Sequence, residues 1–238
     1  MAKRSASQAT TQSQGSQSQV AKKSRKSVAM RRFKVPKLVS QGRQPFAPQQ
    51  ICTLVYAIQI AKALVFGAYA EYKFSCNGLF DPDTTGGGHQ PMYFDQLMAI
   101  YNHYCVLNSS INVTVIPEQT TTRAPTIALF QDDDATTGVT DIGTAIERPG
   151  STYMSCQGQA SGMFYPPFLR NKWKADIPFP GQATSKVELQ GDSTTNPTEQ
   201  TFWIIGANDA AVTSQTLIYN VRIEYTALFF ELKSMTPS

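Results

Sequence analysis

The chain has 238 residues, 41% of them hydrophobic and 16% charged, enough for one well-buried core with or without a tail, so a single folded domain is the starting expectation. Its net charge of +4 hides a division: residues 1–45 hold eleven Lys and Arg and no acid, while the rest holds ten bases against 17 acids, so a segment of +11 precedes one of −7. The longest apolar stretch, Leu54 to Ala70, is interrupted by Gln59 and Lys62, and no apolar run follows the basic start, which argues against membrane insertion and secretion.

From Ser5 to Gln19 the chain uses almost only Ser, Gln, Thr, Ala and Gly, which offer no apolar surface to offset the entropy of ordering, so this arm is expected to be disordered alone. Its cations are Lys3, Arg4, Lys22, Lys23, Arg25, Lys26, Arg31, Arg32, Lys34, Lys37 and Arg43. Such clusters release condensed counterions when they meet a phosphate backbone, which gives salt-dependent and sequence-independent binding of nucleic acid. The same cluster from Lys22 to Lys34, with Lys23, Arg25, Lys26, Arg31 and Arg32, suits a nuclear import receptor. Because the body is net negative, packaging fits better than base readout from a folded basic helix. Pro36, Pro45 and Pro48 punctuate a connector, which divides the chain into an arm over 1–48 and a folded domain over 49–238.

Beyond residue 49 the dominant period is two. A strand is predicted over 51–60; Ala70, Tyr72, Phe74 and Cys76 alternate with polar residues, and so do Ile111, Val113 and Val115. Between them lies a turn-rich run, Asn77-Gly78-Leu79-Phe80-Asp81-Pro82-Asp83-Thr84-Thr85-Gly86-Gly87-Gly88-His89-Gln90-Pro91, continuing to Phe94-Asp95-Gln96. Asp81-Pro82 favours a turn, the glycines permit unusual backbone, and His89-Gln90 can meet the free amides of a following helix. That helix is expected over 91–103, from Pro91 and the spacing of Tyr93, Leu97, Ile100, Tyr101 and Tyr104. Further strands are expected near 125–131, 151–157, 161–169, 184–190 and 200–207. In the last strand Leu217, Tyr219, Val221, Ile223 and Tyr225 face one way, and beyond Ala227 both faces turn apolar, as for a strand ending inside a sheet stack or at a subunit contact. The expected fold is all-β: a single jelly roll, a two-sheet antiparallel sandwich with one short inserted helix, behind a disordered basic arm.

Chemistry-bearing patterns are scarce. Cys52, Cys76, Cys105 and Cys156 form no C-x-x-C pair and read as reduced core thiols, and His89 and His103 belong to no metal-ligand arrangement. The Asp81 to Gly86 run lacks the terminal Glu of a calcium loop, since Met92 stands there, and Asp132-Asp133-Asp134 reads as a solvated loop rather than an ion site. GQATSK at Gly181 to Lys186 fails as a phosphate loop, no G-x-S-x-G elbow occurs, and the sequons at Asn108 and Asn112 read as chance matches. No catalytic residue, metal or cofactor is expected.

The run from Asn77 to Gln96 resembles the N-G-x-x-D-P-D-x-x-G-x-G-H-Q-P-x-x-F-D-Q signature of capsid proteins from circular Rep-encoding single-stranded DNA (CRESS DNA) viruses, through Asn77, Gly78, Asp81, Pro82, Asp83, Gly86, Gly88, His89, Gln90, Pro91, Phe94, Asp95 and Gln96. Tyr101-Asn102-His103-Tyr104 and the strand onset at Ser110-Ile111 extend the likeness, which covers about residues 72–116. The resemblance implies a jelly-roll subunit, about 60 copies in an icosahedral shell, with the arm lining the interior around single-stranded DNA. Sixty arms would bring roughly 660 positive charges to that interior, on the order of the phosphates they neutralise. It further implies a homo-oligomer found in the virion and, during assembly, the host nucleus, with RNA as the other cargo and the host receptor open. Two rivals remain: a non-assembling single-stranded nucleic-acid-binding shuttle or movement protein, and a carbohydrate-binding sandwich stacking sugars on surface aromatics such as Trp173.

Overall fold

The computed structural model describes residues 45–117, 125–156, 168–208 and 215–234. Among them are nine strands: β1 (Gln49–Leu64), β2 (Tyr69–Ser75), β3 (Tyr101–Pro117), β4 (Thr126–Asp132), β5 (Thr152–Ser155), β6 (Phe168–Lys174), the two-residue β7 (Gln190–Gly191), β8 (Phe202–Asn208) and β9 (Gln215–Leu232). Two short helices, α1 (Phe94–Met98) and α2 (Ile142–Glu147), interrupt them.

The strands form two antiparallel sheets: sheet 1 has the order β1-β9-β3-β6, with β7 also against β3, and sheet 2 has the order β2-β8-β4-β5. The partners β1 with β9, β2 with β8, β3 with β6 and β4 with β5 nest inside one another. A single antiparallel ribbon has therefore been rolled until its halves face each other, which is the jelly roll expected from the alternation. The main core lies between the sheets and includes Tyr56, Phe74, Tyr104, Val113, Trp203, Tyr219, Ile223 and Tyr225. In β9 the inward set Leu217, Tyr219, Val221, Ile223 and Tyr225 is buried, as the period of two requires.

Two smaller clusters explain why some strands are apolar on both faces. The outer side of sheet 2 buries Ala128, Phe130, Phe202 and Ile204 under α2, through Ala145, Ile142 and Ile146. The outer side of the β9 end buries Leu228 and Phe230 under Ile177 and Ala183, the latter in the 3-10 segment Pro180–Ser185. The end of β9 is thus capped by the chain's own loop, and the apolar run from Ala227 needs no neighbour to hide it. All four cysteines are free thiols; Cys76, Cys105 and Cys156 are buried and Cys52 is half-buried. Among the described residues no helix is long and apolar enough to cross a membrane.

Several elements depart from expectation. The helix predicted over 91–103 is α1 alone, because Tyr101 and Tyr104 belong to β3, where pairing with β9 (Tyr101 opposite Leu232, Tyr104 opposite Phe229) overrides the local spacing. Pro91 is not in its first turn; Tyr93 precedes Phe94 with φ 71°, left-handed backbone that is uncommon for a non-glycine residue. The strand expected over 184–190 is two 3-10 segments, Pro180–Ser185 and Val187–Leu189, whose Ala183 and Leu189 pack onto the sheet instead of pairing within it. Helix α2 was not expected: Asp141 caps it, accepting the Thr144 amide at 2.9 Å. Of the strand expected over 161–169, residues 161–167 lie outside the described residues, and β6 begins at Phe168.

Candidate functional site

The cations Lys3 to Arg43 of the arm lie outside the described residues. The signature run is described in full, and it makes the corner by which the chain leaves β2 and reaches α1.

The corner is built on buried polar groups that close on one another. Ser75 Oγ accepts the Gly78 amide at 2.8 Å, and the Ser75 carbonyl accepts the Tyr225 hydroxyl at 2.7 Å. Asn77 ties the corner to the lead-in of β8: its Nδ2 donates to the Glu199 carbonyl at 2.7 Å and its Oδ1 accepts the Thr201 amide at 3.2 Å. The buried carboxylate of Asp83 accepts the Thr85 amide at 3.0 Å, the Thr85 hydroxyl at 2.8 Å and, through its other oxygen, the Tyr72 hydroxyl at 2.7 Å. Every lone pair used is one that water would otherwise have served, so the network pins shape at little net cost.

Asn196, from a distant loop, is the centre of the other half. Its Oδ1 accepts the amides of Phe80 at 3.1 Å and Asp81 at 3.2 Å and the Tyr104 hydroxyl at 3.2 Å, and its Nδ2 donates to the Asp81 carbonyl at 3.0 Å. Gly78 is glycine because a Cβ there would lie 2.6 Å from the Asn196 Cγ. At Gly88 a Cβ would meet the Tyr56 hydroxyl at 2.5 Å and the Asp83 Cβ at 2.8 Å. The loop carrying Asn196 is shaped by Asp192, whose Oδ1 accepts the amides of Thr194 at 2.6 Å and Thr195 at 2.8 Å.

Electrostatics follow burial. Burial, opposed by a hydrogen bond with Thr85 and reinforced by the Asp83 carboxylate, pushes the Tyr72 hydroxyl up to about 12, and burial pushes the Tyr56 and Tyr104 hydroxyls higher still. Asp81 is raised above the usual carboxylate value, first by burial and then by neighbouring Asp83. Partial burial alone would raise Asp192 as well, but the amides and hydroxyls of Thr194 and Thr195 outweigh it and hold that carboxyl low.

His89 does not cap α1, which has no side-chain cap. Its Nε2 faces the Ala57 carbonyl at 3.1 Å and its Nδ1 the Gln90 carbonyl at 2.7 Å, with the ring 4.8 Å from that of Tyr56. It therefore fastens the corner to β1, a task the sequence assigned to helix amides. Pro91 and Phe94 are buried, Gln90 is half-buried, and Asp95 and Gln96 are exposed on α1. The network places no side chain beside an activated nucleophile; what it can do chemically is hold geometry. The partners Ser75, Tyr72, Tyr104 and Asn196, and Tyr56 whose ring packs on His89, were not singled out for this role, and only the register of distant strands brings them here.

Two other candidates are now located. Trp173 is half-buried and packs against both the main core and the cluster under the β9 end, so it is not a free platform for a sugar ring. The carboxylates of Asp132, Asp133 and Asp134 lie within 4.8 Å of one another, but Asp132 is engaged by Arg148 at 3.3 Å and by the Asp134 amide at 3.1 Å, as in a self-contained loop.

No family model matches the chain, and no curated protein matches it. Solved structures do. The chain is similar to the BFDV capsid protein in a 60-mer, at 11% identity and a TM-score of 0.45, over 81% of this chain and 100% of that one. It is also similar to a semi-empty virus-like particle protein of the giant freshwater prawn Macrobrachium rosenbergii nodavirus, at 11% identity and 0.45, over 83% and 90%. A third likeness is to the cocksfoot mottle virus structure, at 11% identity and 0.45, over 77% of this chain and 94% of that chain.

Proposed function

We propose that this chain is a viral capsid subunit that self-assembles into a small icosahedral shell and packages single-stranded DNA through its basic arm. The observation that carries the reading is the joining of an acid-free segment of +11 to a jelly-roll body of −7. A chain that must hold a polyanion and also close into a shell needs two such parts, one to neutralise phosphates and one to present a rigid shape. The Asn77 to Gln96 signature supports the CRESS DNA assignment and a shell of about 60 copies, since closed symmetric assemblies repeat one interface. Its role in this reading is to hold a structural corner, and no covalent step is invoked. The cluster Lys22 to Lys34 would serve nuclear entry before assembly.

The test is size-exclusion chromatography with light scattering on the full-length protein at low and high salt, with the 260/280 absorbance ratio and nuclease digestion of any copurified strand. A megadalton species carrying nuclease-sensitive nucleic acid is expected. A small species that binds single strands only at low salt would replace the capsid with a non-assembling binding protein.

A further inference from the structure

The acidic body is not acidic all round. Strand register aligns the outward side chains of sheet 1 into rows: Ala57, Arg222, Asn112 and Arg170 in one, and Val55, Glu224, Ser110 and Lys172 in the next. Arg170, Lys172, Lys174 and Arg222 are all exposed on this face, and Glu224 is the one carboxylate of these two rows, already paired with Arg222 at 2.6 Å. Away from these rows, β2 and residues 132–148 hold Glu71, Asp132, Asp134, Asp141 and Glu147 against Lys73 and Arg148, whereas Asp133, Asp176, Glu188 and Glu199 border a further groove that Lys174 also lines. Four of the folded domain's cations are thus gathered on the outer face of sheet 1, with Lys174 at the edge where the carboxylates begin, while Lys62 and Lys233 lie off these rows.

That face is shaped as well as charged. Two shallow grooves adjoin on it and share Asn112 and Arg222. One, of about 640 Å³, runs past Ser110, Lys172 and Lys174; the other, of about 500 Å³, is closed by Phe168 and Thr114. Phe168 is 50% exposed, with the Arg170 guanidinium 5.4 Å from its ring centre. Nucleotides have two unlike halves, and the two grooves match them: cations and hydroxyls for phosphate, an aromatic face with amides of Asn112 and Asn220 for an unstacked base. An acidic peptide would use the first groove and leave the second idle, and a duplex does not offer its bases.

We propose that the outer face of sheet 1 is a second contact for single-stranded nucleic acid, distinct from the arm, with Arg170, Lys172, Lys174 and Arg222 on phosphates and Phe168 under a base. The inference rests on the packaging reading and deepens it by giving the folded domain its own binding surface for the same class of cargo.

The experiment uses full-length protein and fluorescence anisotropy of a labelled oligothymidylate across a salt series. It compares the intact chain with R170Q/K172Q/K174Q/R222Q, with a chain whose eleven arm cations are Gln, and with the two sets combined; circular dichroism confirms the fold of each, and K172Q alone serves if the quadruple variant unfolds. The face variant is expected to lower the salt slope by about 2, because Arg170, Lys172 and Lys174 each contribute roughly 0.7 on a single strand, while the charge of Arg222 is already offset by Glu224. The arm-neutralised chain should retain weak binding that the combined variant loses. F168A in the arm-neutralised chain should weaken oligothymidylate about fivefold or more and leave an abasic strand unchanged. An unchanged slope in the face variant, together with no binding by the arm-neutralised chain, overturns the face and leaves the arm reading standing. Absence of binding by the intact chain overturns both. Displacement by polyglutamate as effective as by oligothymidylate, on the arm-neutralised chain, would overturn the single-strand assignment.

Discussion

The corner from Asn77 to Gln96 and the outer face of sheet 1 use many of the same short polar side chains in opposite ways. In the corner the polar groups of buried Ser75, Asn77 and Asp83 and of half-buried Asn196 are spent on the protein's own backbone or side chains. On the face, Lys172 and Lys174 stand exposed, and among the described residues no carboxylate lies within ion-pair distance of either. Satisfied buried polarity specifies one shape; exposed polarity leaves bonding capacity for a ligand. The two regions should therefore respond to substitution on different scales, one in stability and the other in binding.

The sharpest separation is expected from Gly78→Ala. Its Cβ would push the Asn196 amide aside and orphan the Phe80 and Asp81 amides, at a cost of about 3–6 kcal/mol, comparable with the net stability of many domains. Urea unfolding measures it, and a loss below about 1 kcal/mol would mean the corner repacks freely. Asn196→Ala removes the same partner without the clash and should cost about 2–4 kcal/mol.

Acid offers a milder probe. The folded Asp192 carboxyl lies below its ordinary value of 3.8, so its contribution to stability is complete above that value and is lost as pH falls through the folded one. Asp192→Asn should flatten the acid limb of the stability profile; identical profiles for variant and parent would remove Asp192 from the set of groups that hold the Asn196 loop. The smallest effect is expected on the face, where R170Q/K172Q/K174Q/R222Q should change unfolding free energy by no more than about 0.5 kcal/mol. A larger loss would make that face part of the scaffold.

Much of the architecture could be read from alternation, because β2, residues 216–226 of β9 and the second half of β3 each keep one inward and one outward set. Elements whose covering comes from elsewhere could not. Within 183–189, Ala183 and Leu189 resemble strand positions because they are covered, but they are covered by lying over Leu228 and Phe230, and Val187 stays exposed. Helix α2 was short enough to hide, although Asp141 with Thr144 three residues on is a capping pair that signals it. At the corner the glycines and Asp83 were visible, while Asn196 sits more than a hundred residues away. On the face, the alternation Arg170, Lys172, Lys174 is written along β6, yet Arg222 and Asn112 join it only through the register of three strands.

The thiols give the molecule an internal clock. Burial pushes Cys105 up to about 11, Cys156 up to about 12 and Cys76 well above its ordinary value, so the reactive thiolate is scarce in the closed fold. Alkylation of Cys76 and Cys156 must wait for the sandwich to open and that of Cys105 for the segment over the β9 end to lift, so the rates at which they take up a thiol reagent count those openings. The half-buried Cys52, on the strand that His89 fastens to the corner, should label ahead of them. The interval between the first label and the other three would report how far the edge at Cys52 opens without the rest of the fold.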